Sequence, residues 1–306
     1  MSAVDTTVRL PGLTLKNPVL TASGTFGYGL EFARYGSLAD LGGIVVKGLS
    51  LKPRQGNPMP RIAETPCGML NAIGIQNIGA EAFLRDKLPF LPRRETAVVA
   101  NLYACDAREF GELAAVLSAA DGLAALEVNV SCPNVKEGGV AFGQNPGQIR
   151  VVTQEVKRNA GNKPVIVKLS PNVTDIGEAA RAAVDGGADM LSCINTLTGM
   201  AVDIRTRKPR LANVYGGLSG PAVKPVALRC VHQVCRAVSV PVIGVGGIAS
   251  ADDILEFILV GAHAVQVGTA NFMRPDAAFR MAAELPALME RLGIASLDDY
   301  RGSLKT

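Results

Sequence analysis

The chain has 306 residues, a formal net charge of +4 and a composition that is nearly half apolar. This length favours one domain over residues 1–306, and the lack of tryptophan indicates an aliphatic core. The charge is too mild to favour a nucleic-acid partner. We interpret the basic run 205–210 as a solvated loop, with contact to an anionic ligand or nucleic acid as the alternative.

The amino terminus and the cysteines limit the cellular setting. Residues 1–10 contain no apolar stretch of the signal-peptide kind, and no uncharged apolar run approaches the roughly 20 residues of a membrane helix. We therefore expect a cytoplasmic protein with no membrane partner. The six cysteines include no Cys-x-x-Cys pair, which predicts reduced thiols rather than a disulfide framework or a metal site.

Eight apolar, β-branched runs predict strands that are covered on both faces. Most are separated by helix-length segments with apolar residues at three-to-four spacing, so the chain predicts an α/β fold, a (β/α)8 TIM barrel. The strand runs are 17–23, 42–50, 96–104, 123–131, 163–171, 188–196, 240–248 and 262–270. Helical segments include 107–119, 147–159, 176–185, 223–238 and 251–260.

Three connections of this barrel are expected to carry active-site insertions, after strands two, four and six. The segments 51–78 and 197–221 are long and rich in proline or glycine, which is typical of loops that build ligand walls. The connection after strand four begins with the motif Asn129-Val130-Ser131-Cys132-Pro133-Asn134. Its asparagines can bind a flat, amide-rich ligand, because each side chain offers both donors and acceptors.

The strand ends carry chemistry that turn formation alone does not explain. In such a barrel the carboxyl ends of the strands form the active-site face. Six strands end in a residue that can bind or ionise, and polar groups on apolar strands are costly without a partner. In chain order the ends are Ala22 and Ser23, Lys47, Asn101, Asn129, Lys168, Asn195 and Thr196, Gly246 and Gly247, then Gly268 and Thr269.

The glycines after strands seven and eight predict a phosphate site, because backbone N–H groups can approach an anion there. Tight packing is the alternative explanation. A Rossmann dinucleotide site is excluded, since only one further βα unit follows. Lys47 and Lys168 would supply one cation for a substrate carboxylate and one for a developing anion. A Schiff-base lysine or surface lysines are the alternatives.

Cys132 could serve as a nucleophile, a proton-transfer base or a buried spectator. A nucleophilic cysteine usually depends on a histidine, and the chain has only His232, within a predicted helix, and His263, at the opposite end of the barrel. Both histidines are expected to be structural. A lone thiol that moves a proton therefore fits best.

Taken together, these motifs resemble the dihydroorotate dehydrogenase family over residues 13–273. The cysteine and the lack of an amino-terminal extension are similar to class 1, and further motifs resemble the class 1B catalytic subunit. Those motifs are 12–13, 24–27, 136–143 and 217–225. Gly48 and Ile75 depart from the Thr and Leu common in the family, which affects contact detail only.

The resemblance implies one FMN per chain and oxidation of (S)-dihydroorotate to orotate in pyrimidine biosynthesis. Cys132 would act as the base, and Lys168 would stabilise charge on the reduced ring. The implied FMN contacts are Ser23, Lys47, Gly48, Asn101, Asn129, Lys168, Ile194, Gly220, Gly246, Gly247, Gly268 and Thr269. The implied substrate contacts are Lys47, Asn71, Ala72, Ile73, Gly74, Ile75, Asn129, Asn134, Asn195 and Thr196. The loop around Cys132 would act as a lid.

The same resemblance implies partners. A homodimer core would bind an iron–sulfur subunit that carries FAD and a 2Fe–2S cluster, forming a heterotetramer that passes electrons to NAD. An exposed apolar patch near the flavin edge is expected for that contact. The alternatives are a fumarate-dependent class 1A homodimer, a related dihydropyrimidine dehydrogenase, a flavin-free barrel lyase and a non-catalytic scaffold.

Overall fold

The computed structural model describes residues 4–130 and 142–305. Within them, eight parallel strands close into a barrel whose order follows the chain, as the sequence predicts. Every predicted run contains one barrel strand. The strands are β1 (Val19–Thr21), β2 (Gly43–Val45), β3 (Ala97–Leu102), β4 (Ala125–Asn129), β5 (Val165–Leu169), β6 (Met190–Cys193), β7 (Val242–Val245) and β8 (Ala264–Val267).

Helices cover the outside of this barrel, so the strands are buried on both faces. The five helical segments predicted from periodicity are found as α2 to α6, with ends that agree within one residue. The described helices are α1 (Ala80–Asp86), α2 (Ala107–Ser118), α3 (Pro146–Asn159), α4 (Ile176–Asp185), α5 (Lys224–Ala237), α6 (Ala251–Leu259), α7 (Ala270–Met273), α8 (Ala277–Arg291) and α9 (Leu297–Tyr300).

Side-chain caps fix where several of these helices begin. Asp106, Asn145 and Asp175 each accept a backbone N–H from the first turn of α2, α3 and α4. Ser250 and Asp253 form a reciprocal capping box at the start of α6. Each cap satisfies a donor that the helix leaves unpaired, which stabilises it by about 1 kcal/mol. Helix starts are therefore set locally by the sequence.

An antiparallel hairpin of Val8–Leu10 and Leu13–Leu15 precedes the barrel. Its turn residue Gly12 lies against the ring of Pro164, just before β5, so the hairpin lies at the amino ends of the strands. The opposite end, where the carboxyl termini of the strands meet, is left for the insertions. Among the described residues, no helix combines the length and apolarity needed to cross a membrane.

The segments after β2 and β6 pair with each other, although they are far apart in the chain. They form a four-stranded antiparallel sheet, here called the wall sheet, in the order Leu197–Met200, Tyr215–Ser219, Gly68–Asn71 and Ile62–Thr65. A short ladder of Val202–Asp203 and Lys208–Pro209 extends from it, and the basic run 205–210 is exposed there. The third expected insertion lies largely outside the described residues.

Candidate active site

A single cavity at the carboxyl ends of the barrel strands collects most of the predicted residues. Residues in or just after each of the eight strands contribute to its lining, because parallel strands of one barrel end at the same face. The wall sheet supplies one side. Predicted residues that line the cavity are Ser23, Lys47, Gly48, Asn71, Ile73, Gly74, Ile75, Asn101, Asn129, Lys168, Ile194, Asn195, Thr196, Gly220, Gly246, Gly247, Gly268 and Thr269.

Among the described residues, Ala72 is the predicted residue that is not part of this lining. Ala72 is fully buried beneath the wall sheet in a small apolar cluster with Leu70 and Leu211. Its proposed substrate contact rests on the family resemblance alone. Cys132 and Asn134 lie outside the described residues, as does most of the loop expected to act as a lid.

A carboxylate that the sequence did not point to lies directly beneath the cavity. Glu127 on β4 is 0% exposed inside the barrel. Its Oε1 accepts from Asn101 Nδ2 at 2.7 Å and lies 3.9 Å from Lys168 Nζ. Its Oε2 accepts from Ser192 Oγ at 2.9 Å and from Gln266 Nε2 at 2.5 Å. An acidic residue inside the apolar run 123–128 was the available signal.

Strand register explains why these groups meet. Asn101 pairs with Glu127 across β3 and β4, and Asn129 pairs with Lys168 across β4 and β5. Because side chains alternate along a strand, Glu127 and Asn129 both point into the barrel. The base of the cavity is therefore a polar layer, and we call Asn101, Glu127, Asn129 and Lys168 the floor.

The asparagines of the floor and rim are oriented by one another. Asn195 Nδ2 donates to Asn129 Oδ1 at 3.2 Å, and Asn195 Oδ1 accepts from the backbone N–H of Thr196 at 2.8 Å. Asn101 Oδ1 is buried and has no hydrogen-bond partner among the described residues. Since a buried acceptor without a partner is costly, this oxygen is suited to a ligand N–H.

The segment between Asn71 and Asn77 is held in place by the side chain of Asn77. Its Oδ1 accepts from the backbone N–H groups of Ser50 and Gly79, and its Nδ2 donates to Ser50 Oγ and to the carbonyl of Ile75. This buried residue ties the end of the loop to the barrel. The preceding residues 73–75 are thereby fixed against the cavity.

The two predicted phosphate loops lie side by side in the cavity wall. Gly246 and Gly247 have φ values of +127° and +78°, and a Cβ on either would approach other atoms within 3.0 Å. Only glycine is accommodated there without strain, which leaves backbone groups open to a ligand. Thr269 Oγ1 donates to Ser219 Oγ at 2.7 Å, which links the second loop to the wall sheet.

Neither the histidines nor the other described cysteines offer catalytic chemistry in this cavity. His263 lies before β8 at the amino ends of the strands, and burial, with Arg301 nearby, lowers its pKa to about 4. Burial raises the pKa of Cys193 well above its usual range and that of Cys235 to about 12. A group with such a pKa is neutral at physiological pH, which agrees with the structural role predicted for His263.

Comparison with known proteins identifies the family. The family model described as dihydroorotate dehydrogenase matches residues 5–289. Proteins named dihydroorotate dehydrogenase B (NAD(+)), catalytic subunit, are 76% identical over 303 residues in Solidesulfovibrio magneticus and 70% identical over 302 residues in Maridesulfovibrio salexigens, covering 99% of each chain in both cases. A protein of the same name from Geotalea uraniireducens is 57% identical and fully covered. The fold, the cavity and these similarities together establish that the chain belongs to the dihydroorotate dehydrogenase family.

Proposed function

We propose that this chain is the catalytic subunit of an NAD-linked dihydroorotate dehydrogenase, which oxidises dihydroorotate to orotate in pyrimidine biosynthesis. The observation that carries the proposal is one cavity in which strand-end amides and two lysines face a pair of glycine loops. Relatives covering the whole chain are named for this activity. Amides suit a cyclic imide, and a lysine suits its carboxylate.

The residues present fit an FMN cofactor. Asn101 Oδ1, which has no hydrogen-bond partner in the part of the chain that the structure describes, suits a ring N–H, and the glycines at 246 and 247 suit a phosphate. When bound, FMN would supply a ring that accepts a hydride from the substrate. Lys168 is 4% exposed, and a cation so poorly solvated would favour negative charge on a neighbouring group. We propose that the flavin contacts are the twelve named from the resemblance.

The substrate would be held from the rim and from the wall sheet. We propose that Lys47 binds its carboxylate and that Asn71, Asn129, Asn195 and Thr196 bind its ring amides. Asn71 Nδ2 donates to the backbone carbonyl of Gly217 at 3.3 Å, which ties this amide to the wall sheet beside the cavity. Cys132, outside the described residues, would remove a proton from a ring carbon, and Asn134 would complete the substrate contacts.

A second kind of subunit would carry electrons onward. We propose an iron–sulfur partner with FAD and a 2Fe–2S cluster, bound to a homodimer of this chain. The sequence has no Cys-x-x-Cys pattern of its own. Apolar side chains are exposed at Ile62 and Phe272, which line the cavity, and at the neighbouring Met273, and these would suit a protein contact. A fumarate-dependent homodimer is the alternative.

The test is anaerobic mixing of the purified chain with dihydroorotate while the visible flavin band is followed. We expect the flavin band to bleach. Neither fumarate nor NAD should restore the band quickly with this chain alone, and NAD should restore it once the partner subunit is added. Rapid recovery with fumarate alone would favour the class 1A alternative. A yellow protein that does not bleach would contradict the substrate, and a colourless protein that FMN cannot reconstitute would contradict the flavin.

The role of Cys132 is tested separately with Cys132→Ala. This variant should retain FMN and lose most of its turnover at neutral pH, since the proposed base is removed. Full activity would contradict the assignment.

A further inference from the structure

We propose that Glu127 is a positioning residue of the flavin site, which orients the amide of Asn101 and offsets the charge of Lys168 without touching the ligand. This inference rests on the proposed flavin binding. Glu127 is fully buried, and it does not line the cavity. Its two cavity-facing partners, Asn101 and Lys168, both do.

Glu127 determines which end of the Asn101 amide faces the cavity. An ionised carboxylate can only accept hydrogen bonds, so the side chain beside it must present its NH2 group. Asn101 Nδ2 lies 2.7 Å from Glu127 Oε1, and this contact directs the amide oxygen away from the carboxylate. That oxygen has no partner among the described residues. Glu127 thereby makes Asn101 an acceptor for a ligand N–H rather than a donor.

The carboxylate itself is held from three further strands. Ser192 on β6 and Gln266 on β8 donate to Oε2, while Lys168 on β5 lies 3.9 Å from Oε1. These contacts cross the barrel interior and leave the carboxylate little freedom to turn. A buried charge is retained only when paired and hydrogen bonded, and Glu127 meets both conditions.

Glu127 also affects the electrostatic field that Lys168 produces in the cavity. Lys168 and Glu127 have side-chain exposures of 6% and 0%, so solvent screens their interaction poorly. The carboxylate offsets part of the field that the ammonium exerts at the cavity. Removing the negative charge would leave the cation less compensated and would favour a reduced, more negative flavin.

Glu127→Gln tests both roles. The NH2 group of a glutamine at position 127 would face the NH2 group of either Asn101 or Gln266, depending on which way the new amide is turned. One of the three amides must therefore rotate. We expect the dissociation constant of FMN from the reconstituted chain to rise by about tenfold or more, the effect of one misplaced hydrogen bond to a buried group. We also expect the midpoint potential of the bound flavin to rise. Glu127→Asp, which keeps the charge, should recover much of the affinity and the potential.

The matched control is Ile166→Val, because Ile166 is the register partner of Glu127 on β5 and is equally buried. It should lower the melting temperature while leaving FMN affinity and potential unchanged.

Glu127→Gln with wild-type affinity would overturn the orienting role, and an unchanged or lower potential would overturn the offsetting role. If Glu127→Gln fails to fold, Ser192→Ala, which removes one donor to the carboxylate, should weaken FMN binding by a few fold, and no change would overturn the proposal. Both readouts are made without dihydroorotate, so they separate this inference from the proposed substrate.

Discussion

The floor of the cavity and its wall sheet are built in opposite ways. The floor is formed by neighbouring barrel strands in fixed register, is almost fully buried, and joins a carboxylate to an ammonium. The wall sheet joins segments as far apart as Asn71 and Gly217, 146 positions along the chain, over a small separate cluster around Leu70. We infer that the floor serves mainly the cofactor, with Asn129 shared with the substrate, and that the wall serves the substrate.

Removing Lys168, the cation of the floor, should have the largest effect on flavin binding. Lys168→Met leaves Glu127 buried without its ion partner, which should destabilise the fold by about 3 kcal/mol. It also removes the cation proposed to face the flavin, and we expect the affinity for FMN to fall roughly a hundredfold. Fluorescence titration with FMN measures the affinity. Lys157→Met is the control, because its ion pair with Asp189 is at the surface and is worth at most about 1 kcal/mol. Equal losses in the two variants would contradict the distinction between buried and surface cations.

Loosening the wall sheet should affect the substrate more than the flavin. Leu70→Ala removes the 1% exposed centre of the small cluster and should destabilise the wall by about 2 kcal/mol. We expect the KM for dihydroorotate to rise roughly tenfold while FMN affinity changes by less than about twofold. Leu113→Ala, in the main core, is the control for stability. A parallel loss of FMN affinity in Leu70→Ala would show that floor and wall are not separable.

The contact between Gly217 of the wall sheet and Thr196, which follows β6, is here called the seam. One added methyl group can strain it. A Cβ at Gly217 would lie 2.0 Å from Thr196 Oγ1, so Gly217→Ala must displace Thr196 or the wall strand that carries residue 217. We expect the KM to rise by a few fold, on the order of 1 kcal/mol of overpacking, with flavin reduction by saturating substrate little changed. Gly199→Ala, whose new methyl would meet the end of Leu70 at 3.0 Å and Leu218 Cβ at an ordinary 3.6 Å, should be milder. A larger effect from Gly199→Ala would contradict the position of the seam.

Protonation of His263, at the amino ends of the strands, should change the stability of the fold without affecting the floor or the wall sheet. The pKa of His263 is lowered to about 4 in the folded chain from an ordinary 6.5, so the unfolded chain binds more protons between these values. The stability contributed by neutral His263 is therefore complete above about pH 6.5 and is lost as the pH falls towards 4, by about 2 kcal/mol after allowing for partial exposure.

Chemical denaturation of wild type and His263→Gln between pH 7 and pH 4 measures this contribution. The stability advantage of the wild type should shrink as the pH falls, and His232→Gln should not alter that trend. A constant difference between wild type and His263→Gln would contradict the prediction, and a change in KM at neutral pH would show that this end of the barrel is coupled to the site.

The two regions also differ in how far they could be predicted. The asparagines and the lysine of the floor stand at the ends of apolar runs. Once those runs are interpreted as barrel strands, these residues are expected to meet, because the strand ends share one face. Glu127 was missed because a single acidic residue inside an apolar run gives no indication of which strands face it. Ala72 was grouped with its neighbours, yet it lies beneath the wall sheet because side chains alternate along the chain.

The sequence by itself determined the eight strands, the five central helices and the residues that end each strand, because burial periodicity and helix caps are local properties. Tertiary structure alone decided the antiparallel pairing of the two insertions and the meeting of Glu127 with Asn101, Lys168, Ser192 and Gln266. The physical reason is that such contacts depend on barrel closure and register. These bring side chains of distant strands into one interior, and no short stretch of sequence records which of them will face each other.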